Sequence, residues 1–315
     1  ALVAANFETT KVPDSVTLGS YAQTYFLYTL NKQYDWGTLF RIYGPLNNYI
    51  FSTRLNYTYF PEYYWGISTE DPENNKDTIA YNRVGIDVRF YKAINKRIYA
   101  GVATRVNTID NIQSEGDRFV ADQPPGHAGY WVWGFAPGLT IETRDNAVYP
   151  RKGFFLEALF YYHPAWNTRA FAFQTFRLDA RKYIPATLIS NMDALALQLF
   201  ANINTGDVPF KDMADIGGSN LMRGYYTGFY RYQNLYAFQA EYRAHVWWRI
   251  GFVAWIGAAL TTDTWYRFFE NPLKPNAGVG LRLMMNKKDR LNVRLDQGFG
   301  KAGQQGFYLD IAEAF

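Results

Sequence analysis

The sequence has no cysteine and only three histidines among its 315 residues. Without cysteine the chain can form no disulfide bond, no thiolate nucleophile and no cysteine-ligated metal site. Long apolar runs are also missing, because the longest, Gly251 to Leu260, falls well short of the roughly 20 residues that a membrane-spanning helix needs. These absences exclude a disulfide-framed domain and a multi-pass helical membrane protein.

Neither sign of charge dominates the sequence. Its 32 basic and 28 acidic residues leave a net charge of +4, so no surface of the kind that binds nucleic acid is expected. Enzyme signatures are missing too, since His127, His163 and His245 stand in separate segments and no H-E-x-x-H, G-x-S-x-G or metal-ligand spacing occurs. We therefore predict no enzymatic activity, no catalytic residue, no cofactor, no metal and no nucleic-acid partner.

Aromatic residues, by contrast, are abundant. They make up 19% of the chain, with 26 Tyr, 24 Phe and 9 Trp, although the mean hydropathy is only −0.28. Amphipathic rings such as tyrosine favour the boundary between a membrane and water. The apolar content is therefore spread along the chain in a way that is compatible with a membrane protein built of strands.

Apolar and polar residues alternate along segments of about ten residues, as in strands that cross a membrane. Between Tyr236 and Trp248 every second residue is apolar or small, and the intervening positions include Glu241 and Arg243. Side chains of a strand point to opposite faces in turn, so each segment has one apolar wall and one polar wall. This pattern predicts fourteen clear strands and a weaker one at 1–8; the clear ones lie at 16–30, 37–43, 48–60, 78–92, 96–108, 128–145, 152–164, 168–184, 191–204, 231–248, 251–263, 277–286, 290–299 and 304–315.

The connections between these segments are alternately tight, as at 92–95, and long, as at 66–77, 110–126 and 205–231. Short turns at one end and long loops at the other are typical of membrane barrels, which in bacteria have an even number of strands. A soluble β-sandwich or propeller also alternates, but its charged face would be outer surface, whereas a barrel places those charges in its lumen. We therefore predict an all-β fold, a single transmembrane antiparallel β-barrel domain of sixteen strands over 1–315.

Strand parity then divides the side chains between the two walls. Several aromatic residues fall on the outward wall: Trp131, Trp133, Tyr236, Phe238, Tyr242, Trp248 and Phe315. Ten arginines and six carboxylates fall on the lumen wall: Arg54, Arg83, Arg89, Arg105, Arg144, Arg177, Arg181, Arg243, Arg282, Arg294, Asp87, Glu142, Glu157, Asp179, Glu241 and Asp296. These charges form either a mutually paired ladder that stiffens the wall, or an electropositive passage or docking surface for an anionic group, and parity does not distinguish these arrangements.

Three short motifs stand out from this background. The first joins the predicted strands at 128–145 and 152–164 and contains Arg144, Asp145, Asn146, Pro150 and Gly153. The second, in the longest loop, contains the tetrapeptide Met222, Arg223, Gly224 and Tyr225. The third is the C-terminal segment with Phe307, Leu309, Ile311 and Phe315 at alternate positions and Glu313 interrupting them. In this order and spacing the three motifs resemble the BamA/TamA, or bacterial surface antigen, family of outer-membrane assembly barrels.

The resemblance implies a role for each motif. In the family the loop arginine tucks into the lumen and meets one acidic residue on the twelfth strand and another on the thirteenth. The matching positions here are Glu241 and Gly257, so Arg223–Glu241 is the predicted pair, with one acidic partner in place of two. The planar guanidinium of arginine suits a bidentate carboxylate.

The other two motifs are predicted to be structural. Arg144 and Asp145 are expected to bond across the strand end, while Pro150 and Gly153 set the reversal. The C-terminal segment resembles the signal by which outer-membrane barrels are recognised for assembly. Glu313 departs from that pattern, and because it is close to the end of the strand it is expected to reach the headgroups or water.

The resemblance implies a multi-pass protein of the bacterial outer membrane that acts in the assembly of outer-membrane protein or lipid, or as a membrane platform for a partner. Lipid is the expected environment, and lipopolysaccharide or another outer-membrane protein is a candidate partner. Members that insert barrels carry POTRA domains ahead of the barrel, but strands begin within the first 16 residues here, so no POTRA domain is expected within 1–315. Two alternatives remain open: a partner-binding scaffold without transport, and the barrel anchor of a preceding enzymatic domain.

Overall fold

The fold is an antiparallel sheet, seen in a computed structural model that describes residues 2–9, 17–29, 32–70, 72, 76–286 and 290–315. Within these residues the main sheet has sixteen strands and a separate small sheet has two. The elements are β1 (Leu2–Phe7), β2 (Ser20–Tyr28), β3 (Tyr34–Tyr43), β4 (Tyr49–Tyr59), β5 (Glu62–Tyr64), β6 (Asp77–Ala93), β7 (Ile98–Glu115), α1 (Arg118–Asp122), β8 (Tyr130–Glu142), β9 (Gly153–His163), β10 (Phe173–Pro185), β11 (Ala194–Gly206), β12 (Ala214–Asp215), β13 (Arg231–Tyr232), β14 (Asn234–Trp247), β15 (Ile250–Thr262), β16 (Lys274–Asn286), β17 (Leu291–Gly300) and β18 (Gln305–Ile311).

Strand order follows the chain. In the described part of the main sheet, fifteen strands are hydrogen-bonded in sequence order, and β5 pairs with β6 next to the end of β4. The predicted sixteen strands are thus confirmed, with the weak segment at 1–8 forming β1 and the short β5 making up the number. No helix in these residues has both the length and the apolar character needed to cross a bilayer.

Many of the strands have one buried face and one exposed apolar face, and β8 is the clearest example. In β8 the burial alternates residue by residue, with Tyr130 and Val132 buried while Trp131, Trp133 and Phe135 are exposed. A soluble protein would not expose a continuous wall of large apolar side chains. This wall is the surface that a transmembrane strand presents to lipid.

On the buried face, arginines pair with carboxylates two residues away on the same strand. Five such pairs have N–O distances between 2.5 and 3.1 Å: Asp87–Arg89, Glu142–Arg144, Asp179–Arg181, Glu241–Arg243 and Arg294–Asp296. Residues i and i+2 share a face of a strand, which brings these charges together without any long-range packing. A paired ladder is therefore the arrangement adopted by these ten residues.

The chain forms two compact units. The first comprises Ala1–Thr140, Ala158–Phe176 and Ile203–Met213, and the second comprises Ile141–Glu157, Arg177–Asn202 and Ala214–Phe315.

In the first unit the long connections pack into an ordered aromatic cluster. Tyr64, Phe119 of α1 and Phe210 meet edge to edge, with ring centroids 5.0 to 6.5 Å apart. His163 is buried, its ring stacks on Phe173 at 3.9 Å, and its Nε2 accepts a 2.8 Å hydrogen bond from Arg105. These contacts indicate that His163 stabilises the fold.

The C-terminal segment of the second unit departs from the predicted strand at 304–315. Phe307 and Leu309 are exposed and Ile311 is partly exposed, but β18 ends at Ile311. Ala312 then adopts a positive φ of 71° and its N–H bonds the carbonyl of Asn292. A left-handed residue breaks the alternation of a strand, and the residues after it change face.

Two predictions about this segment are consequently wrong. Phe315 does not lie on the outward wall, since it is buried against Tyr183 and Ala196. Glu313 does not reach headgroups or water, because its side chain is buried and its carboxylate bonds Arg282 at 2.8 Å and Asn292 at 2.9 Å.

Candidate functional site

The candidate site is the tip of the long loop between β11 and β14. At the base of the loop β12 pairs with β13, with Ala214 opposite Tyr232 and Asp215 opposite Arg231. From this base residues 217–228, called here the loop tip, fold against the buried faces of β14 to β18. The loop tip belongs to the second unit, together with all of its contacts described below.

Arg223 is the centre of the loop tip and is completely buried. Its guanidinium bonds Glu241 of β14 and, at 2.6 Å, Asp296 of β17. It also lies 3.6 Å from the ring centroid of Trp255 on β15, and its carbonyl accepts a 2.8 Å bond from the Asn276 amide of β16. Three strands therefore hold the side chain through two ion pairs and a cation–π contact, and a fourth bonds its backbone.

The expectation of a single acidic partner for Arg223 is wrong. The structure brings Arg223 to Glu241, the residue expected from the sequence, but Asp296 supplies a second carboxylate from a different strand. Gly257 has no side chain and therefore supplies no carboxylate. The space beside it is occupied by Asn276, which is its partner in the register of β15 and β16. An acidic side chain at 257 would displace the amide that bonds the Arg223 carbonyl.

The two carboxylates that hold Arg223 are themselves shared with other arginines. Glu241 also accepts from Arg243 at 2.7 Å, and Asp296 accepts from Arg282 at 2.6 Å and from Arg294 at 3.1 Å. Sharing in this way neutralises charges that would be costly to bury alone.

The network continues to the end of β18 and beyond it. Arg294 bonds Asp310 at 2.8 Å, Arg282 bonds Glu313 at 2.8 Å, and Arg243 donates a 2.6 Å bond to the backbone oxygen of Phe315. A continuous chain of charge-assisted contacts thus runs from the loop tip to residue 315.

The neighbours of Arg223 in the tetrapeptide fix its backbone. Met222 is buried and its N–H donates to the Gln239 side chain at 2.9 Å. Gly224 has a φ of +113°, and a Cβ there would lie 2.6 Å from the backbone nitrogen of Phe299. Tyr225 is buried, its hydroxyl donates to the Pro275 carbonyl at 2.6 Å and accepts from the N–H of Lys301 at 2.9 Å. The glycine is required because two backbones meet without room for a side chain.

The turn between β8 and β9 is built by side chains that bond the backbone. Asn146 accepts from the N–H groups of Val148 and Tyr149, both at 2.8 Å, in an Asx-type turn. Gly153 resumes the sheet with a φ of +113°, where a Cβ would lie 2.7 Å from the carbonyl carbon of Thr143. Pro150, which precedes it by three positions, is buried.

The two charged residues of this turn bond in different directions. The guanidinium of Arg144 bonds Glu142 of its own strand at 2.5 and 2.8 Å and donates to the Ala147 carbonyl of the turn at 3.3 Å. Asp145 bonds across the strand end, accepting from the N–H of Arg151 at 2.9 Å, and it also pairs with Arg290 at 3.0 Å.

Tyr149 is the residue of the turn that lies next to the charge network. Its ring lies 5.9 Å from the Arg243 guanidinium, and burial raises the pKa of its hydroxyl to about 12, with the negative charge of Glu313 acting in the same direction. The turn motif therefore borders the same charge network as the loop motif, since Arg223 and Arg243 share the carboxylate of Glu241.

Sequence reasoning missed Asp296, Arg282, Arg294 and Glu313 as members of this site. The i, i+2 spacing of acid and arginine was a usable signal for the pairs within strands, but not for pairs between strands. Across the described ranges no group of three or more histidine or acidic side chains converges as ligands for a metal ion. This arrangement can therefore hold the buried guanidinium of Arg223, and with it the loop tip, firmly against the strands.

Among known protein families, a model of the Omp85 superfamily domain matches residues 16–315. A search of curated proteins finds no match. Among solved structures, BamA from Haemophilus ducreyi lacking POTRA domains 1–3 is similar over 99% of this chain and 68% of its own, with a TM-score of 0.56 and 11% identity.

Two further similar structures are those of CdiB. CdiB from Acinetobacter baumannii aligns with 99% of this chain and 57% of its own, with a TM-score of 0.53 and 11% identity. CdiB from Escherichia coli aligns with 99% of this chain and 62% of its own, with a TM-score of 0.56 and 10% identity. The chain thus spans between 57% and 68% of the length of these three chains, and at such identity the likeness concerns the fold, an antiparallel β-barrel.

Proposed function

The chain belongs to the Omp85 superfamily, and on that premise we propose that it is a platform on which outer-membrane protein or lipid is assembled or translocated. The predicted resemblance and the predicted location are confirmed: this is a β-barrel of the bacterial outer membrane that crosses it with strands. In this proposal residues 1–315 act as one barrel domain, without enzymatic activity of their own. Lipid, and lipopolysaccharide or another outer-membrane protein, are its partners.

The observation that supports the proposal best is the burial of Arg223 between two carboxylates. Burying an arginine costs several kcal/mol unless every charge around it is compensated, and here two carboxylates and an aromatic ring are provided for that purpose. A loop held in this way would obstruct diffusion through a passive pore. In a platform the same loop tip has a use, because it supports the strands that contact it from the inside.

The test is a folding assay in phosphatidylcholine vesicles that contain the purified protein. An unfolded eight-stranded outer-membrane barrel is added, and its folded fraction is followed with time by heat-modifiability on a gel. We expect the protein to accelerate folding and Arg223→Ala to lose this effect. Arg169→Ala, which removes an exposed arginine paired with Asp110, is the matched control and should behave as the wild type.

Two results would contradict the platform. No acceleration by the wild type, together with recovery of one partner protein in fixed proportion from native membranes, would support the scaffold alternative. A steady single-channel conductance in planar bilayers would instead identify an open diffusion pore.

A further inference from the structure

The loop between β15 and β16 exposes an unusual number of aromatic side chains. Four of the six residues from 265 to 270 are aromatic, and their exposed fractions are 54% for Trp265, 57% for Tyr266, 40% for Phe268 and 87% for Phe269. A water-exposed loop does not retain such a group without a reason, since contiguous apolar patches mark contact with a partner or a membrane. We call residues 264–270 the aromatic loop.

The aromatic loop folds outward, onto the lipid-facing wall. Tyr236 lies on the exposed face of β14, in step with the exposed Phe238 and out of step with the buried Leu235. Its hydroxyl donates to the Trp265 carbonyl at 2.8 Å, and its ring lies 4.9 Å from that of Phe268. The loop is therefore fixed against the outer surface of the sheet and does not cover the lumen.

The charges of the aromatic loop cancel. Arg267 and Glu270 form an exposed ion pair at 2.6 Å, and the Asn271 side chain ties the loop to the Thr261 carbonyl at 2.7 Å. Amphipathic aromatic rings beside a compensated pair of charges suit the boundary between headgroups and acyl chains. A docking surface for a charged protein partner would carry a net charge for steering.

The height of the aromatic loop on the barrel also fits this boundary. The opposite end of the same hairpin of β14 and β15 carries two further exposed aromatics, Trp247 and Trp248. Strands of 13 and 14 residues that rise about 3.4 Å per residue and tilt by about 40° cover roughly 30 Å, which is about the thickness of the hydrocarbon core. The two aromatic groups are thus separated by about one membrane thickness.

We propose that the aromatic loop is a membrane anchor whose rings insert into the headgroup–acyl boundary of the leaflet at the long-loop end of the barrel. Its occupant is lipid, because the loop continues the lipid-facing wall formed by the exposed side chains of β14 and β15. It fixes the height and tilt of this hairpin, and with it the strand that carries Glu241.

The absence of cysteine from the sequence allows a clean test by site-directed spin labelling. A nitroxide is attached to Phe269→Cys in the full chain in phosphatidylcholine vesicles, and its collisions with oxygen and with a water-soluble nickel complex are compared by power saturation. We expect collisions with oxygen to dominate at 269. Lys301→Cys, at an exposed turn at the same end of the second unit, is the matched control and should collide more with nickel.

A folded band on a heat-modifiability gel is required of both variants, and Tyr266→Cys replaces the first if it fails to fold. Nickel collisions at 269 or 266 as frequent as at 301 would overturn the proposal, because the loop would then lie in water. Protection that appears only after addition of an outer-membrane protein extract would also overturn it, in favour of a protein partner.

Discussion

A single arginine, Arg223, joins the loop tip to the sheet. Its guanidinium has five N–H donors in a planar fork, and the fork reaches carboxylates on two strands that are not neighbours, β14 and β17. A lysine ammonium is a compact charge and does not reproduce this bridging geometry. The identity of the side chain therefore matters as much as its charge.

We predict that Arg223→Ala lowers the free energy of unfolding by about 3 to 5 kcal/mol, the cost of breaking a buried ion pair by removing one partner. Arg223→Lys should lose less, because the charge remains while one of the two carboxylates loses its donor. Urea unfolding in lipid vesicles, followed by tryptophan fluorescence, measures both. Arg169→Lys alters an exposed pair and should leave the midpoint unchanged; a change as large as that of Arg223→Lys would contradict the assignment.

The two carboxylates that hold Arg223 are not equivalent. Asp296 serves three arginines and Glu241 serves two. Asp296→Asn should therefore destabilise the protein more than Glu241→Gln, each by an amount of about 3 to 5 kcal/mol. The same unfolding assay gives the order, and equal or reversed losses would show that the network does not distribute charge in the way described.

At the scale of single residues, part of the site could be predicted and part could not. Glu241 and Arg243 are two positions apart, so parity places them on the same face of β14, and the structure shows that they pair. Asp296 was assigned to the lumen wall, but its contact with Arg223 depends on where the loop tip comes to rest. No periodicity in the sequence carries that information.

At the scale of elements, the loop tip depends on a close approach of two backbones. A Cβ at Gly298 of β17 would lie 2.7 Å from the Arg223 carbonyl carbon, and one at Gly224 would lie 2.6 Å from the Phe299 nitrogen. Neither gap can be widened by turning a side chain, because the opposing atoms are backbone.

Gly224→Ala should therefore unseat the loop tip, at a cost of about 1 to 3 kcal/mol from its positive φ alone and a further cost from the clash. Limited proteolysis in vesicles is the measurement, with new cleavage expected between 217 and 228. Gly19→Ala, where a Cβ would meet nothing within 4 Å, is the control. Unchanged resistance of Gly224→Ala would show that the loop tip has more freedom than its contacts indicate.

The turn between β10 and β11 provides a prediction about pH. Burial by itself would raise the pKa of Asp193, but hydrogen bonds from the Tyr242 hydroxyl and from the N–H groups of Ser190, His245 and Ile189 outweigh it, and the pKa lies below its usual value. Because the folded pKa is lower than the unfolded one, the stabilisation is present above the usual pKa of about 3.9 and is lost as the pH falls through the folded value.

Hydrogen exchange at the amides of Ile189, Ser190 and His245 should thus stay slow near neutral pH and, relative to the intrinsic rate, speed up in strong acid. Asp193→Asn should speed it up already at neutral pH, by the loss of about 1.5 to 3 kcal/mol that hydrogen bonds to a charged group contribute. Unaltered protection in Asp193→Asn would indicate that the turn is held by other contacts.

The C-terminal segment shows why an element can be correctly predicted and its end misplaced. The alternation correctly predicted that Phe307 and Leu309 are exposed. The left-handed conformation of Ala312 then turns the side chains of Glu313 and Phe315 to the buried face. Alanine carries no sequence signal for a positive φ, unlike glycine or asparagine. The acidic residue that interrupted the apolar pattern was the only hint of the reversal.

At the scale of the whole molecule, the fold could be predicted because lipid imposes a simple rule. Every outward position must be apolar and every backbone group must be paired, so a period of two persists in almost every strand, including the example of β14. Contacts within the lumen obey no such rule. The second acid that Arg223 meets, Asp296, comes from β17 and not from position 257, where Asn276 takes the space beside the glycine.

Arg223 and Asp296 act as a pair that holds the loop tip against the sheet. A double-mutant cycle tests this most directly, with Arg223→Gln, Asp296→Asn and the double variant unfolded by urea in lipid vesicles. We predict a coupling free energy of about 0.5 to 3 kcal/mol, the range found for contacting residues in one network, and towards its upper end because both groups are charged and buried. Losses that add within about 0.5 kcal/mol would contradict the account.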